Sequence, residues 1–224
     1  MIAGGMVWTG LSTGRGHPGS VAIAGGEILA VGDSAEIARY FGSGTRILRA
    51  DGGLVLPGFA DGHAHFIDGG FQLASVNLRD AATPREFIRR LKEYAARLGP
   101  GAWITGGDWD HELWPGTPLP RRDWIDSVTP DNPVFVNRLD GHMALANTAA
   151  IRAAGVSRAT ATPPGGEIPR APDGEPLGIF KDQAMSLIWR AAPAPSAGQR
   201  DSALARALAH AASVGLTAVA HMAA

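Results

Sequence analysis

The stretch that most constrains this chain runs from Leu54 to Phe66, where an apolar run enters a Pro-Gly step and ends in His-Ala-His. We interpret this segment as an extended strand. Residues two apart on a strand share a face, so His63 and His65 are expected to project together while Ala64 points away. Two neutral imidazoles on one strand supply half of a metal site. The alternative is two histidines that meet by chance in a loop, because a bare His-x-His pattern is weak.

An acidic residue precedes this pair. Asp61 lies two positions before His63, where its carboxylate would orient a ligand imidazole without binding the metal itself. The chain has no cysteine, so any metal must be held by nitrogen and oxygen atoms. We therefore expect His63 and His65 to be metal ligands and Asp61 to support them.

Three further segments of the sequence match known motifs. Residues 107–114 read Gly-Asp-Trp-Asp-His-Glu-Leu-Trp, residues 140–147 read Asp-Gly-His-Met-Ala-Leu-Ala-Asn, and residues 178–182 read Gly-Ile-Phe-Lys-Asp. With the His-x-His segment, they resemble the amidohydrolase superfamily, in particular its amidohydrolase-3 or YtcJ-like subgroup, which includes N-substituted formamide deformylases. The similarity runs from about residue 20 to the last residue. Four motifs in this order are specific for the family but do not determine the substrate.

The resemblance implies an α/β fold, namely a partial TIM-like (β/α) barrel preceded by a small β-subdomain. Short strands and glycine turns place that β-subdomain at residues 1–55, and the resemblance implies a composite β-sandwich completed from the far C-terminus. Residues 56–224 are expected to be the N-terminal part of the barrel, with a mixed α/β insertion at about 100–190 after the first barrel strand. A complete barrel takes about 250 residues. We therefore expect an N-terminal fragment of a longer enzyme.

Local signals predict several elements. A hairpin is expected across Gly25 and Gly26. Three helices are expected to begin after polar cap residues, which are Thr83, Asn147 and Ser196. Three apolar segments predict strands, the last of them buried: residues 102–105, 133–138 and 216–221. Residues 156–177 predict an irregular loop.

Two further patterns concern faces and turns. Leu204, Leu208 and Ala211 are expected to share one face of the last helix, which Gly215 ends. Residues 14–19 match the dinucleotide-binding pattern G-x-G-x-x-G, but a strand follows where a dinucleotide site requires a helix. We interpret that segment as a hairpin turn.

The resemblance also implies a chemistry. The cofactor is expected to be a divalent metal, zinc with one or two ions. The reaction is expected to be hydrolysis of a non-peptide carbon–nitrogen bond, in an amide or formamide, by metal-activated water. No catalytic residue is identified, because the general base is expected beyond Ala224. A non-catalytic fragment that binds metal or partners, and a hydrolase of the same fold that cleaves C–O ester bonds, stay open.

Several side chains are candidates for substrate binding. The acidic and histidine residues between Asp108 and Glu112 fit no metal motif. Trp109 and Asp110 are instead expected to line an aromatic substrate pocket, the alternative being a solvated loop packed on its own tryptophans.

Two histidines and a lysine complete the candidates. The resemblance places His142 near the substrate, where it would donate a hydrogen bond to a carbonyl or developing oxyanion, and a structural role stays open. His221 ends a predicted strand and either faces the site or is a satisfied histidine in a packed strand end. Lys181 lies in the insertion and is expected to be a surface or pocket-lining lysine rather than a carboxylated metal ligand.

Composition limits the class of partner. The chain has 224 residues, of which 45% are hydrophobic, and a formal net charge of -1, as in an ordinary soluble globular protein. This balance gives no basis for nucleic-acid or membrane binding. We expect a small-molecule substrate and a cytoplasmic location, and a homo-oligomer stays open.

Overall fold

A computed structural model describes residues 1–11, 13–116 and 118–222. The chain forms a mixed α/β fold that divides into two units. The first unit comprises Met1–Asp61 and Gly215–Ala218, and the second comprises Gly62–Val214 and the described residues after Ala218. The division between Asp61 and Gly62 falls within a single strand, Phe59–Ala64.

The first unit contains a five-stranded sheet and one short helix. Its elements are β1 (Ile2–Val7), β2 (His17–Ala24), β3 (Glu27–Gly32), α1 (Ser34–Ala38), β4 (Leu48–Arg49) and β5 (Leu54–Val55). The strand order is β3-β2-β1-β4, and β5 also pairs with β1. The predicted hairpin is confirmed, since β2 and β3 are antiparallel and Gly25 and Gly26 have φ angles of 62° and 84°, which glycine adopts without strain. The interpretation of residues 14–19 as a hairpin turn holds in part, because β2 already begins at His17 and only residues 14–16 lie in the connection between β1 and β2.

The second unit contains a second five-stranded sheet. Its elements are α2 (Phe66–Ala74), α3 (Pro84–Ala95), β7 (Ile104–Trp109), α4 (Asp123–Asp126), β8 (Val134–Arg138), β9 (Met143–Ala146), α5 (Thr148–Ala153), β10 (Gly166–Glu167), β11 (Ile179–Asp182), α6 (Met185–Trp189) and α7 (Ala197–Ser213). The order is β10-β11-β9-β8-β7, with β7 and β8 parallel and the other neighbours antiparallel. The predicted strand at 102–105 instead begins at Ile104, where pairing with Val134 begins, and continues to Trp109.

Two further strands form a separate two-stranded sheet, namely β6 (Phe59–Ala64) and β12 (Leu216–His221). The backbone N–H of Phe59 donates to the Gly215 carbonyl at 3.0 Å, and that of Met222 donates to the Ala64 carbonyl at 2.9 Å. The two strands therefore run in the same direction. The prediction that residues 216–221 are buried is wrong, because a sheet of two strands leaves most side chains of β12 exposed.

Two hydrophobic clusters form the core of the second unit. One brings Phe87 and Leu91 of α3 against Trp109 and Trp114, and all four are buried. The other cluster is built around Phe135, with further buried side chains from α5, β11 and α6. Among the described residues, no helix is long and apolar enough to cross a membrane.

The three predicted helix caps are confirmed. The Thr83 hydroxyl accepts the Glu86 N–H at 3.1 Å, and the Asn147 carboxamide accepts the Ala150 N–H at 2.9 Å. Ser196 forms a reciprocal capping box with Gln199. Each cap satisfies an N–H group that a helix start would otherwise leave without a partner.

The predicted apolar face of α7 is wrong in part. The buried residues of α7 are Ala203, Ala207 and Ala211, whereas Leu204 and Leu208 are 39% and 55% exposed. The physical reason is the close approach of α2, whose Gly70 carries no side chain at the contact: a Cβ atom there would overlap the backbone of Ala203. Small residues can accommodate this approach and leucines cannot.

Candidate functional site

The His-x-His pair spans the end of β6 and the start of α2. His63 lies within β6, whereas His65 precedes the first residue of α2, with φ −81° and ψ 68°. The two histidines are therefore not on one regular strand as expected. Their rings are nevertheless neighbours, with centroids 5.7 Å apart and planes inclined at 64°. Asp61 lies in the same strand, and its supporting role stays a prediction.

The ring separation can be compared with that in a metal site. Zinc–nitrogen bonds of 2.0–2.1 Å in tetrahedral geometry place the centroids of two ligand imidazoles about 5.2 Å apart. The separation of 5.7 Å is within a fraction of an ångström of that spacing, so the distance between the two rings suits a shared divalent metal. Within the described part of the chain, no group of three or more His, Asp or Glu side chains could hold an ion. Among the described residues the pair is thus an incomplete ligand set, and the general base stays unidentified.

His221 is held against the segment that carries this pair. Its Nδ1 atom lies 3.2 Å from the backbone N–H of Phe66 and 3.3 Å from the carbonyl oxygen of Ala64. Without a proton, Nδ1 accepts a hydrogen bond from the Phe66 N–H; with a proton, it donates one to the Ala64 carbonyl oxygen. His65 is in addition 3.7 Å from Asp68, measured from Nδ1 to Oδ2. The structure therefore brings His221 to the His-x-His turn through backbone contacts, and its role toward a substrate stays a prediction.

A cleft of about 1230 Å³ lies within the second unit, and His65 is on its wall. Polar lining residues include Asp68, Gln72, Asp108 and Asn137. Apolar lining residues include Trp103 and Trp189. A concave surface with a few polar groups among apolar ones is the usual form of a small-molecule site.

The tryptophans of the 107–114 segment lie in the core rather than in the cleft. Trp109 is fully buried and its indole Nε1–H donates to the Val136 carbonyl at 2.9 Å. Trp114 is 3% exposed and donates to the Ala81 carbonyl at 2.7 Å. Trp109 therefore does not line a substrate pocket as expected, and it does not lie in a solvated loop either, because it ends strand β7 within the core. Both indoles point inward because the core offers each N–H a carbonyl acceptor.

Asp110 also has a local partner. Its carboxylate accepts the Glu112 N–H at 3.1 Å, at the start of a short 3₁₀ turn over His111–Leu113. It also lies 3.4 Å from the Arg138 guanidinium, which pairs with Asp140 as well. These contacts favour a structural role, and substrate binding by Asp110 stays a prediction.

Sequence reasoning missed Asp108 as a cleft residue. Its φ angle is +52°, a backbone conformation unusual for any residue but glycine, and its carboxylate accepts the Asn137 amide N–H at 2.6 Å. The available signal was the Gly106-Gly107 pair directly after the predicted strand at 102–105, because paired glycines at a strand often mark a bulge.

His142 forms a pair with Asp182. The Nδ1 atom of His142 is 2.9 Å from Asp182 Oδ1, and the Asp182 N–H donates to the His142 carbonyl at 2.9 Å. The hydrogen bond and charge of Asp182, followed by the charge of Asp140, raise the pKa of His142 above 6.5. The imidazole ring itself stays largely exposed, so Nε2 is accessible to a ligand.

Lys181 is engaged elsewhere. Its Nζ atom lies 2.9 Å from the Glu167 carboxylate, across the β10–β11 ladder. This ion pair fits a surface lysine, as expected, and gives no support to a carboxylated ligand.

Comparison with known proteins identifies relatives over most of the chain. A family profile described as "Amidohydrolase family" matches residues 46–224. Protein LONG AFTER FAR-RED 3 of Arabidopsis thaliana is 42% identical over 200 residues, which are 89% of this chain and 34% of that protein. The putative amidohydrolase YtcJ of Bacillus subtilis is 31% identical over 215 residues, 96% of this chain and 40% of that protein. N-substituted formamide deformylase of Arthrobacter pascens is 31% identical over 174 residues, 77% of this chain and 32% of that protein.

These matches confirm the resemblance inferred from the motifs. They also show that the chain spans 32% to 40% of the length of these curated relatives.

Two crystal structures of uncharacterized metal-dependent hydrolases, from Pyrococcus horikoshii and Pyrococcus furiosus, have TM-scores of 0.65 and 0.68. Each covers 99% of this chain, which spans 42% and 44% of theirs, at 24% and 23% identity. At that identity the likeness shows the fold.

Proposed function

Because this chain belongs to the amidohydrolase family, we propose that it contributes the first metal ligands and part of the substrate cleft of a metal-dependent hydrolase. The reaction is cleavage of a non-peptide carbon–nitrogen bond in a small-molecule amide or formamide. The observation that carries the proposal is the placement of the His63 and His65 rings, 5.7 Å apart, at the end of β6. The relative named as a formamide deformylase supports the choice of bond.

The fold supports this placement. In a (β/α) barrel the functional side chains lie at the carboxyl ends of the strands. His63 and His65 lie at that end of β6, and His221 is the last residue of β12, which runs parallel to β6. We propose that β6 and β12 are barrel strands, that residues from about 100 to 190 are an insertion, and that the first unit is part of a composite β-sandwich.

Each residue has a defined task in this proposal. His63 and His65 hold a divalent metal, and zinc suits a set of nitrogen and oxygen ligands. When bound, such a metal polarises the substrate carbonyl and activates water. His221 keeps the turn between β6 and α2 in place through the Phe66 N–H, so that His65 stays close to His63. His142, whose pKa is raised by Asp182, donates a hydrogen bond to the substrate carbonyl oxygen.

Metal binding tests the proposal directly. Zinc affinity is measured by titration calorimetry for the protein and for the variants His63→Ala and His65→Ala. Each variant is expected to bind zinc at least about tenfold more weakly, because one of two nitrogen ligands is lost. His17→Ala is the matched control, since His17 is exposed in the other unit and should not change the affinity. Unchanged affinity in both site variants contradicts the proposal.

The bond that is cleaved needs a second measurement. The zinc-loaded full-length hydrolase, to which this chain is proposed to contribute, is assayed with an N-substituted formamide, an unsubstituted amide and an ester of matched size. Turnover of the first two supports carbon–nitrogen hydrolysis, turnover of the ester alone identifies a C–O hydrolase, and no turnover with intact metal binding identifies a chain that binds without catalysis.

A further inference from the structure

The strand β7 contains a strained bulge directly before Trp109. Its register with β8 shifts between Gly106 and Trp109. Three successive residues have positive φ angles: Gly106 at 80°, Gly107 at 101° and Asp108 at 52°. Glycine adopts this conformation freely, but Asp108 has a Cβ atom and is strained there. Strain of this kind persists only where the surroundings impose it.

Packing on both sides imposes the bulge. A Cβ atom at Gly106 would lie 2.7 Å from the Ser75 hydroxyl, and one at Gly107 would lie 2.8 Å from the Leu78 side chain. The Leu78 N–H also donates to the Gly107 carbonyl at 2.9 Å. The next residue, Trp109, is anchored in the core. Asp108 therefore has little freedom to relax.

The bulge presents the Asp108 carboxylate to the cleft. Asp108 and Asn137 both line the cleft, together with His65. The side chain of Asp108 is 15% exposed, and its Oδ1 accepts the Asn137 amide at 2.6 Å. Its Oδ2 lies 3.8 Å from Arg79, beyond hydrogen-bond distance, and the Arg79 side chain is 64% exposed. A carboxylate can accept about four hydrogen bonds, so Asp108 retains acceptor capacity.

We propose that Asp108, oriented by Asn137, determines substrate specificity by accepting a hydrogen bond from an N–H group of the substrate. The cleft then selects amides and formamides that carry an N–H over N,N-disubstituted amides and esters, which have no such donor. Trp103 and Trp189 supply apolar surface for the substituent on nitrogen. The inference rests on the proposed function, and it names the substrate class within it.

The chemistry favours a carboxylate in this role. A hydrogen bond to a charged acceptor is roughly twice as strong as one between neutral groups. A site built to bind an N–H also discriminates against ligands that lack it, because such a ligand displaces water from the remaining acceptor positions of the carboxylate without supplying a donor. We expect about a tenfold preference for the N–H ligand from one such bond.

Three small probes test this preference: N-butylformamide, N-butyl-N-methylformamide and butyl formate. Their affinities are measured by NMR titration of the protein without added metal. The protein is expected to bind the first about tenfold more tightly than the other two. In Asp108→Asn, the side-chain oxygen can still accept from Asn137, which turns the new NH2 group toward the cleft. The preference should then disappear, with the affinity for the N-methylated probe unchanged.

Strain and specificity are separated by a matched pair of variants. Asp108→Gly and Asp51→Gly both replace an aspartate at positive φ, and Asp51, at 46°, is exposed in a turn of the other unit. Both variants are expected to keep or raise the melting temperature, but only Asp108→Gly should lose the preference. A protein that binds none of the probes, shows no preference, or keeps the preference in Asp108→Asn overturns the inference. Failure of the proposed function shows separately, as unchanged zinc affinity in His63→Ala and His65→Ala.

Discussion

The Asn147 side chain connects three parts of the second unit and offers a strong test of the fold. It is 1% exposed. Its Oδ1 accepts the N–H groups of Val134 and Ala150, both at 2.9 Å. Its Nδ2 donates to the carbonyl and hydroxyl of Thr129 and to the carbonyl of Asn132, at 2.8 to 3.2 Å. One carboxamide thus joins the start of β8, the start of α5 and the loop before β8.

The magnitude for Asn147→Ala follows from these bonds. Loss of the cap on α5 costs about 1 kcal/mol. The substitution also removes the hydrogen-bond partner of the buried Val134 N–H and of the acceptors on Thr129 and Asn132. Each of these groups that water does not reach costs about 1–3 kcal/mol. Because such terms are not additive and water can enter the gap, we expect about 4 kcal/mol in total. The corresponding fall in melting temperature is roughly 8–16 °C for a unit of this size.

Urea unfolding followed by tryptophan fluorescence measures this loss, and two variants act as controls. Thr83→Ala removes an exposed cap with one hydrogen bond and should cost about 1 kcal/mol. Asn147→Asp keeps the shape of the side chain but replaces the NH2 group, which donates to the carbonyls of Thr129 and Asn132, with an oxygen that can only accept. The variant protein should therefore be less stable at neutral pH. Part of its stability should return in acid, where the carboxyl group is protonated and can donate. If Asn147→Ala loses no more than Thr83→Ala, the reasoning is refuted.

Two further predictions concern a titration and a helix contact. Asp182→Asn should lower the pKa of His142 toward 6.5, as measured by NMR. Since the folded-state pKa is the raised one, the pair stabilises the fold fully below pH 6.5 and loses its effect as the pH rises through the raised value, so Asp182→Asn should remove that pH dependence. Gly70→Ala should destabilise α2 against Ala203 by about 1–3 kcal/mol, whereas the adjacent Gly69→Ala meets open space and should stabilise by about 0.5–1 kcal/mol in thermal unfolding.

Elements determined by neighbouring residues could be predicted from the sequence. The caps at Thr83, Asn147 and Ser196 act within three residues of the helix they start, so the local pattern contains the whole interaction. The hairpin at Gly25-Gly26 is local in the same sense. The pairing of His63 with His65 also needed only the adjacent backbone.

Features that depend on distant contacts could not be predicted. A bulge shifts the register of β7, so alternation along the strand does not show that Trp109 enters the core and Asp108 the cleft. Likewise, hydrophobicity favours Leu204 over Ala203 as a buried residue of α7, but the distance to α2 favours the smaller side chain.

The contact between α2 and α7 has a consequence for the order of folding. Gly70 and Ala203 touch although the whole five-stranded sheet lies between them in the chain. Closing so long a loop is entropically unfavourable unless the intervening segment is already compact. We therefore expect the sheet to form first and the two helices to meet late. A substitution at this contact then accelerates unfolding and leaves the folding rate almost unchanged.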